Sequence, residues 1–584
     1  MELLSIRGKR LLRVVCTLIA VVTIGLQQVC AEDYDYSFSN ECLKNPLKPQ
    51  YNGGMVINPE FNDGLHGWSP FGNNHVNLTK GISGDSIPNN FIIASNRKDP
   101  YDSFSQKFYL KKNNHYTLSG WIQLSEGQSD VSIVLKTPSG YKHIAWVIAR
   151  SGCWSMYKGG IVASASATFE LYFQSNNTQA EIWADSISVK EFTPEQWTAH
   201  QVKSIEKVRK SKVALQVVDS EGKPLPNATI TLVRGKPNFP LGCAINKNIL
   251  NNNAYQNWFF SRFKYTTFED EMKWYTNEPT QGHEDYSAAD AMLHLVKGRG
   301  VMVRGHNVFW DDPKYQPSWV NNLATNQLWS AATARAGSII KRYAGQLIHW
   351  DVMNENLHFT FFEGKLGPEA SAVYYKMANS FDWKATPFLN DYNTIEHKED
   401  PVSTPSKYLG KIAQLRAQKY NGPLGIGLEA HFDVPDLAYI RTAIDTLASS
   451  KLPIWITELD VSPRPDQAPL LGQILNELVA HPAVQGIIVW SAWKPNGCYR
   501  MCLTDNNFRN LPTGDVVDGV LKVMSNEGMV GTTTSEGYFE TSLFHGDYEV
   551  KVDHPSLEKS MTHTLGVSST VGDEKMIHFK VLPH

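Results

Sequence analysis

Two glutamates stand where a carboxylate is costly. Glu355 closes Trp350-Asp351-Val352-Met353-Asn354-Glu355, and Glu458 lies in Ile454-Trp455-Ile456-Thr457-Glu458-Leu459-Asp460. Both come late in apolar segments of strand character, where an unpaired buried acid is strongly unfavourable. Such a pair can break an acetal: one carboxylic acid protonates the leaving oxygen while the other carboxylate attacks carbon or activates water. A retaining reaction needs them roughly 5–5.5 Å apart. Other reactive or aromatic residues end apolar segments in the same way, namely Glu269, Glu271, His306, Asp391, His431 and Trp490.

Eight apolar segments must position these groups: 241–245, 265–271, 301–308, 348–355, 387–391, 425–431, 454–459 and 486–490. Stretches such as 287–297 and 325–343 between them carry helix-like apolar spacing. Alternating strand and helix over 236–525 predicts a TIM (β/α)8 barrel, an α/β fold whose site lies at the C-terminal strand ends. A doubly wound sheet is the alternative, but no Gly-rich phosphate loop opens a helix.

Residues 50–192 read as a β-sandwich of short alternating strands separated by turns such as Asn62-Asp63-Gly64. In Glu170-Leu171-Tyr172-Phe173-Gln174, alternation puts Tyr172 and Gln174 on the solvent side, where a ring can stack on a sugar. A polar, basic linker, either a helix or a solvated connection, is expected at 193–212. Two β-rich stretches, 213–235 and 526–584, lack room for separate cores. They resemble the halves of small prealbumin-like sandwiches, so one small sandwich split around the barrel is expected.

Arg7, Lys9, Arg10 and Arg13 precede an apolar run at 14–26, and Val29-Cys30-Ala31 offers a cleavage site. Residues 1–31 therefore read as a signal peptide, and the mature chain as secreted to the extracellular space or cell wall, with no membrane contact after cleavage. Cleavage leaves Cys42, Cys153, Cys243, Cys498 and Cys502, an odd number. Cys498 and Cys502 are close enough to bridge, though connectivity stays open. No spacing favours zinc, and no metal or cofactor is expected. Sequons at Asn77, Asn176 and Asn227 fit glycosylation. The 584 residues carry a net charge of −3, without the basic field of a nucleic-acid binder. Aromatics reach 11% of the chain, enough for stacking platforms as well as cores.

Six motifs in barrel order resemble glycoside hydrolase family 10 endo-β-1,4-xylanases, of the secreted plant type with a family 22 carbohydrate-binding module. They are Glu269-Asp270-Glu271-Met272-Lys273-Trp274, Arg304-Gly305-His306-Asn307-Val308-Phe309-Trp310, Trp350–Glu355, Leu389-Asn390-Asp391-Tyr392-Asn393, Gly427-Leu428-Glu429-Ala430-His431 and Thr457-Glu458-Leu459-Asp460. The resemblance implies Glu355 as acid/base and Glu458 as nucleophile, with His431 and Asp460 supporting the nucleophile. It implies that Glu269, Asp270, Lys273, His306, Trp310, Asn354, Glu429, His431, Trp490 and Trp493 line sugar subsites. Tyr392 and Asn393 would meet the leaving group.

Three residues depart from that family's pattern: Asp270 for Asn, Glu429 for Gln and Asp311 for a frequent His. The first two put a carboxyl where an amide would donate. Asn58-Pro59-Glu60-Phe61, Gly67-Trp68 and Ile182-Trp183-Ala184-Asp185-Ser186-Ile187 resemble the module's first and last strands. Tyr101, Tyr172 and Gln174 are its expected sugar-facing residues. The expected partner is xylan or a related β-1,4-linked polysaccharide. Transglycosylation through the same carboxylates, or silent polysaccharide binding, are the alternatives.

Overall fold

A computed structural model describes residues 33–73, 75–83, 89–557, 559–569 and 576–581. The expected signal peptide lies outside the described residues. Among those residues, no helix is long and apolar enough to cross a membrane.

The N-terminal unit is two five-stranded antiparallel sheets. One runs Ser69–Phe71, Ser103–Leu110, Ala167–Gln174, Gln128–Thr137, Gly140–Arg150; the other runs Asn77–Ser83, Asn89–Ser95, Ile182–Phe192, His115–Leu124, Ser155–Val162. Alternate residues such as Val131, Ile133 and Leu135 face those of the other sheet and form a closed core. A disulfide ties Cys42 to Cys153.

Of the two readings of 193–212, the helix is the one observed. Thr193 and Gln196 form a capping box and Pro194 fits the first turn of α1 (Pro194–Val208), which buries Trp197, His200, Gln201 and Ser204. Strand Lys210–Val217 starts inside that segment, and strand Thr229–Pro237 runs past 235. These two strands pair with strands from the far end of the chain. Lys210–Val217 lies between Tyr538–Phe544 and Met576–Val581; Thr229–Pro237 lies between Val530–Thr532 and Gly546–Asp553, which pairs on with Met561–Val567. Val213, Leu215, Ile230, Leu232, Val550 and Leu565 share one core. One small sandwich is thus split around the central domain.

That domain is a parallel barrel of β1 (Leu241–Cys243), β2 (Tyr265–Thr267), β3 (Met302–Trp310), β4 (His349–Asn354), β5 (Thr386–Asp391), β6 (Gly425–Leu428), β7 (Ile454–Val461) and β8 (Val484–Val489). β1 pairs with β8, and an Ile245–Phe268 bridge just beyond β1 and β2 completes the ring. β2 is shorter than expected, so Glu269 and Glu271 sit in the loop after it. Large rings fill the interior where a neighbouring strand offers glycine: Phe388 beside Gly425, and Trp455 beside Gly486.

The first sandwich docks on the outside of the barrel, against α2 (Pro405–Ala417) and α3 (Leu437–Ala448). Gly160 lies so close to α3 that a Cβ there would sit 2.4 Å from the Ala438 carbonyl oxygen. Lys158 Nζ reaches Asp445 on α3 at 2.7 Å, and both side chains are buried. Asp445 also accepts from Tyr34 Oη and pairs with His481. Nearby, Arg441 pairs with Glu477 of α4 (Gln467–Ala480) and stacks on Trp197, whose indole N–H also donates to Glu477.

Candidate active site

The barrel mouth gathers the chemistry because parallel strands deliver their last side chains to one end. Glu355 follows β4 with φ of +59°, a left-handed backbone uncommon for a side chain of this size. Its N–H donates to the Asn390 carbonyl at 2.8 Å, which seats the turn against β5. Burial pushes the Glu355 carboxyl up to about 8, and the carboxylates of Asp391 and Glu458 push the same way.

Glu458 on β7 is in the opposite state. Burial alone would raise it, but His306, His431 and Lys273 outweigh that and hold it down to about 2. His306 Nε2 lies 3.7 Å from Glu458 Oε1 and its Nδ1 lies 3.0 Å from Asp351, which Arg304 also holds. His431 Nε2 is 3.7 Å from Glu458 Oε2, and its Nδ1 is 3.0 Å from Asp460. Arg500 holds Asp460 in turn, from a loop closed by the Cys498–Cys502 disulfide. Cys243 is the remaining described thiol and is buried.

Asn390 connects the pocket. Its amide N–H groups lie within reach of Asn354 Oδ1, Glu429 Oε1 and Glu458 Oε1, at 2.9, 3.1 and 3.0 Å. The Thr457 hydroxyl donates to its oxygen. Glu429 is buried beside His431, at 3.4 Å.

On one flank stand Glu269, Asp270 and Lys273. Lys273 Nζ is 3.4 Å from Asp270 and lies over the Trp310 ring at 4.5 Å. Lys494 Nζ reaches Glu269 at 2.7 Å and Asp270 at 3.8 Å. Asp270, Glu271, Tyr275 and Lys494 help line a cavity of about 640 Å³. Trp310 stacks on Tyr315, and Trp490 stands edge-on to His306. Trp493 packs with Tyr255 and Phe508 and bonds Asn506, so its ring is tied into the wall behind. On the other flank Tyr392 stacks flat on His358, which is clasped by Asp391 and Asp400 and raised to about 9 despite burial. Asn393 donates to Asp400. Asp311 is buried away from the mouth, accepting from Asn356 and the Phe362 N–H, and burial pushes it up to about 7.

In the first sandwich Tyr101 is exposed and Gln174 half-buried. Tyr172 departs from expectation: it is 3% exposed, because Phe71, on the edge strand two places away in the same sheet, stacks on its ring at 3.9 Å. The strand alternation held, but the exposed face is covered. Tyr141, 57% exposed and edge-on to Tyr172, offers the open ring instead.

Sequence reasoning missed Lys494, His358, Asn390 as a hub, and Arg500. Lys494 adjoins Trp493, and His358 follows Glu355 by three residues. Each was one turn of chain from a residue already singled out, which is the only local signal they carry.

Residues 232–510 match the model of glycosyl hydrolase family 10, and 53–180 match that of a carbohydrate binding domain. Endo-1,4-beta-xylanase 5 of Arabidopsis thaliana is 42% identical over 425 residues, 72% of this chain and 75% of the relative. Endo-1,4-beta-xylanase 4 of the same plant is 35% identical over 526 residues, 87% and 85% of the two chains. With a barrel of this topology, a paired acid and carboxylate at its mouth and relatives matched over most of their length, the chain belongs to glycosyl hydrolase family 10.

Proposed function

We propose that this protein is a retaining endo-β-1,4-xylanase. One observation carries the reading: two glutamates in one buried pocket are driven to opposite protonation states, which is what a two-step displacement requires. Glu355, still protonated near neutrality, gives its proton to the leaving glycosidic oxygen. Glu458, ionised, attacks the anomeric carbon and forms a glycosyl-enzyme. Glu355, now a base, takes a proton from water, and that water displaces Glu458.

The neighbours fit this division of labour. His306 and His431, anchored by Asp351 and Asp460, keep Glu458 charged. Asn354 stands beside the acid/base to meet a sugar 2-hydroxyl. Trp310 and Trp490 supply flat walls. Glu269, Asp270, Lys273 and Lys494 bind the sugar on the non-reducing side, while Tyr392 and Asn393 meet the leaving side. Glu429 lines the reacting subsite and Trp493 backs its wall. The first sandwich, of the family 22 type, holds the same class of polysaccharide through Tyr101, Gln174 and Tyr141. The chain works outside the cell after loss of residues 1–31, with sugars on Asn77, Asn176 and Asn227, whose side chains are exposed.

Product analysis on linear xylan tests the reading. The wild type releases short oligosaccharides; Glu355→Ala loses roughly 10²–10⁴-fold in rate, and Glu458→Ala is silent. Equal release by wild type and Glu458→Ala removes the nucleophile from Glu458. The rate falls as pH rises through about 8, where Glu355 loses its proton.

A further inference from the structure

Glu429 places a third carboxyl in a pocket whose two-step chemistry uses two. Its position is set by the barrel: its N–H donates to the Asp391 carbonyl at the end of β5, and its own carbonyl accepts from Glu458 N–H on β7. The side chain is 3% exposed. One carboxyl oxygen of Glu429, one of Glu458 and a His431 nitrogen all lie within 4.8 Å of one another.

A count of hydrogens shows the conflict. The Asn390 amide has two N–H groups and three acceptors within reach, in Asn354, Glu429 and Glu458. His431 Nε2 has one N–H between Glu429 at 3.4 Å and Glu458 at 3.7 Å. Among the described residues no Lys or Arg bonds to Glu429. The charged and titratable groups facing it are Glu355 beyond β4, Tyr392 beyond β5, His431 on its own segment and Glu458 on β7. Glu396 faces the same segment by accepting the His431 N–H. Only one of these is a cation, and Glu458 shares it. Two buried carboxylates this close, with one imidazolium between them, cannot both ionise cheaply. Glu458 has a second histidine, His306, on its other side; Glu429 has none.

We propose that Glu429 stays protonated in the working enzyme and serves as a positioning residue. Its O–H supplies the donor this pocket lacks, so that it acts as a neutral amide would and leaves Glu458 the sole carboxylate of that pair. The proposal rests on the assignment of Glu458 as nucleophile. Burial and the Glu458 charge push Glu429 well upward, in keeping with the geometry.

Three measurements test it. The first is independent of turnover: difference infrared spectra at pH 6 between Glu355→Gln and the Glu355→Gln/Glu429→Gln double variant. Loss of a neutral carboxyl C=O band is expected; loss of carboxylate bands instead overturns the proposal. The second is the pH profile of kcat/KM on xylan. With a neutral Glu429, Glu429→Gln leaves the alkaline limb in place or moves it upward. With an ionised one, removal of that charge loosens the proton on Glu355 and the limb moves down. A drop at pH 8 of about threefold or more, relative to the ratio at pH 5, overturns the proposal. Glu429→Ala, which removes the donor, lowers kcat by about tenfold, and Gln restores it; no difference between Ala and Gln overturns the donor role. An inactive wild type would refute the xylanase reading and leave the infrared result standing.

Discussion

Glu355 shows what the site costs. Its backbone is held at φ +59° and its carboxyl is buried near other acids, Asp391 and Glu458 among them. A carboxyl whose pKa is raised on folding is penalised only when ionised. The penalty is absent below the ordinary glutamate value and complete above about 8. Glu355→Gln removes it, so the variant gains stability over wild type as pH rises from 4 to 9. A gain approaching about 5 kcal/mol at the alkaline end is expected from the size of the shift. Thermal unfolding of both proteins across that range checks it; a pH-independent difference would show that folding does not pay for an ionised Glu355.

At the level of elements, strand Ser155–Val162 and helix α3 form the joint between sandwich and barrel. Their closeness depends on Gly160, and their alignment on Lys158–Asp445. Burial alone would raise Asp445, but Lys158 and His481 hold it low, so Asp445 is ionised at neutral pH. Removing one member of a buried pair leaves an uncompensated charge. Lys158→Met is therefore expected to cost about 3 kcal/mol. Calorimetry is expected to show the sandwich melting ahead of the barrel in this variant. A single transition at the wild-type temperature would mean that the pair contributes nothing to docking.

At the scale of the whole molecule, the chain leaves the small sandwich at Pro237, builds the barrel, and returns at Val530 to finish the sandwich. Each half covers the other's apolar face, with Val213 and Leu215 opposite Val550 and Leu565. Truncation after residue 529 strips that cover from Val213, Leu215, Ile230 and Leu232. The truncated protein is expected to bind a hydrophobic dye and aggregate, while the barrel motifs remain intact in sequence. Equal solubility and dye binding by full-length and truncated protein would show that the first half stands alone.

Much of this was legible before any fold. Apolar runs ending in acids, histidines or tryptophans marked the strand ends, because a parallel barrel sends the last side chains of all its strands to one mouth. Glu355 and Glu458 stood out because an acid after such a run needs a partner or a role. The two halves of the small sandwich were also readable, since neither had enough apolar surface for a core. What the chain order concealed were relations across strands. Tyr172 alternated outward, yet Phe71 from a distant strand covers it. Lys494 answers Glu269 and Arg500 answers Asp460 across the barrel mouth. The types and order of the reactive residues are a property of the sequence alone. Which carboxyl keeps its proton is decided by tertiary structure, because burial and the charges brought within a few ångströms set that balance, and neither exists along an extended chain.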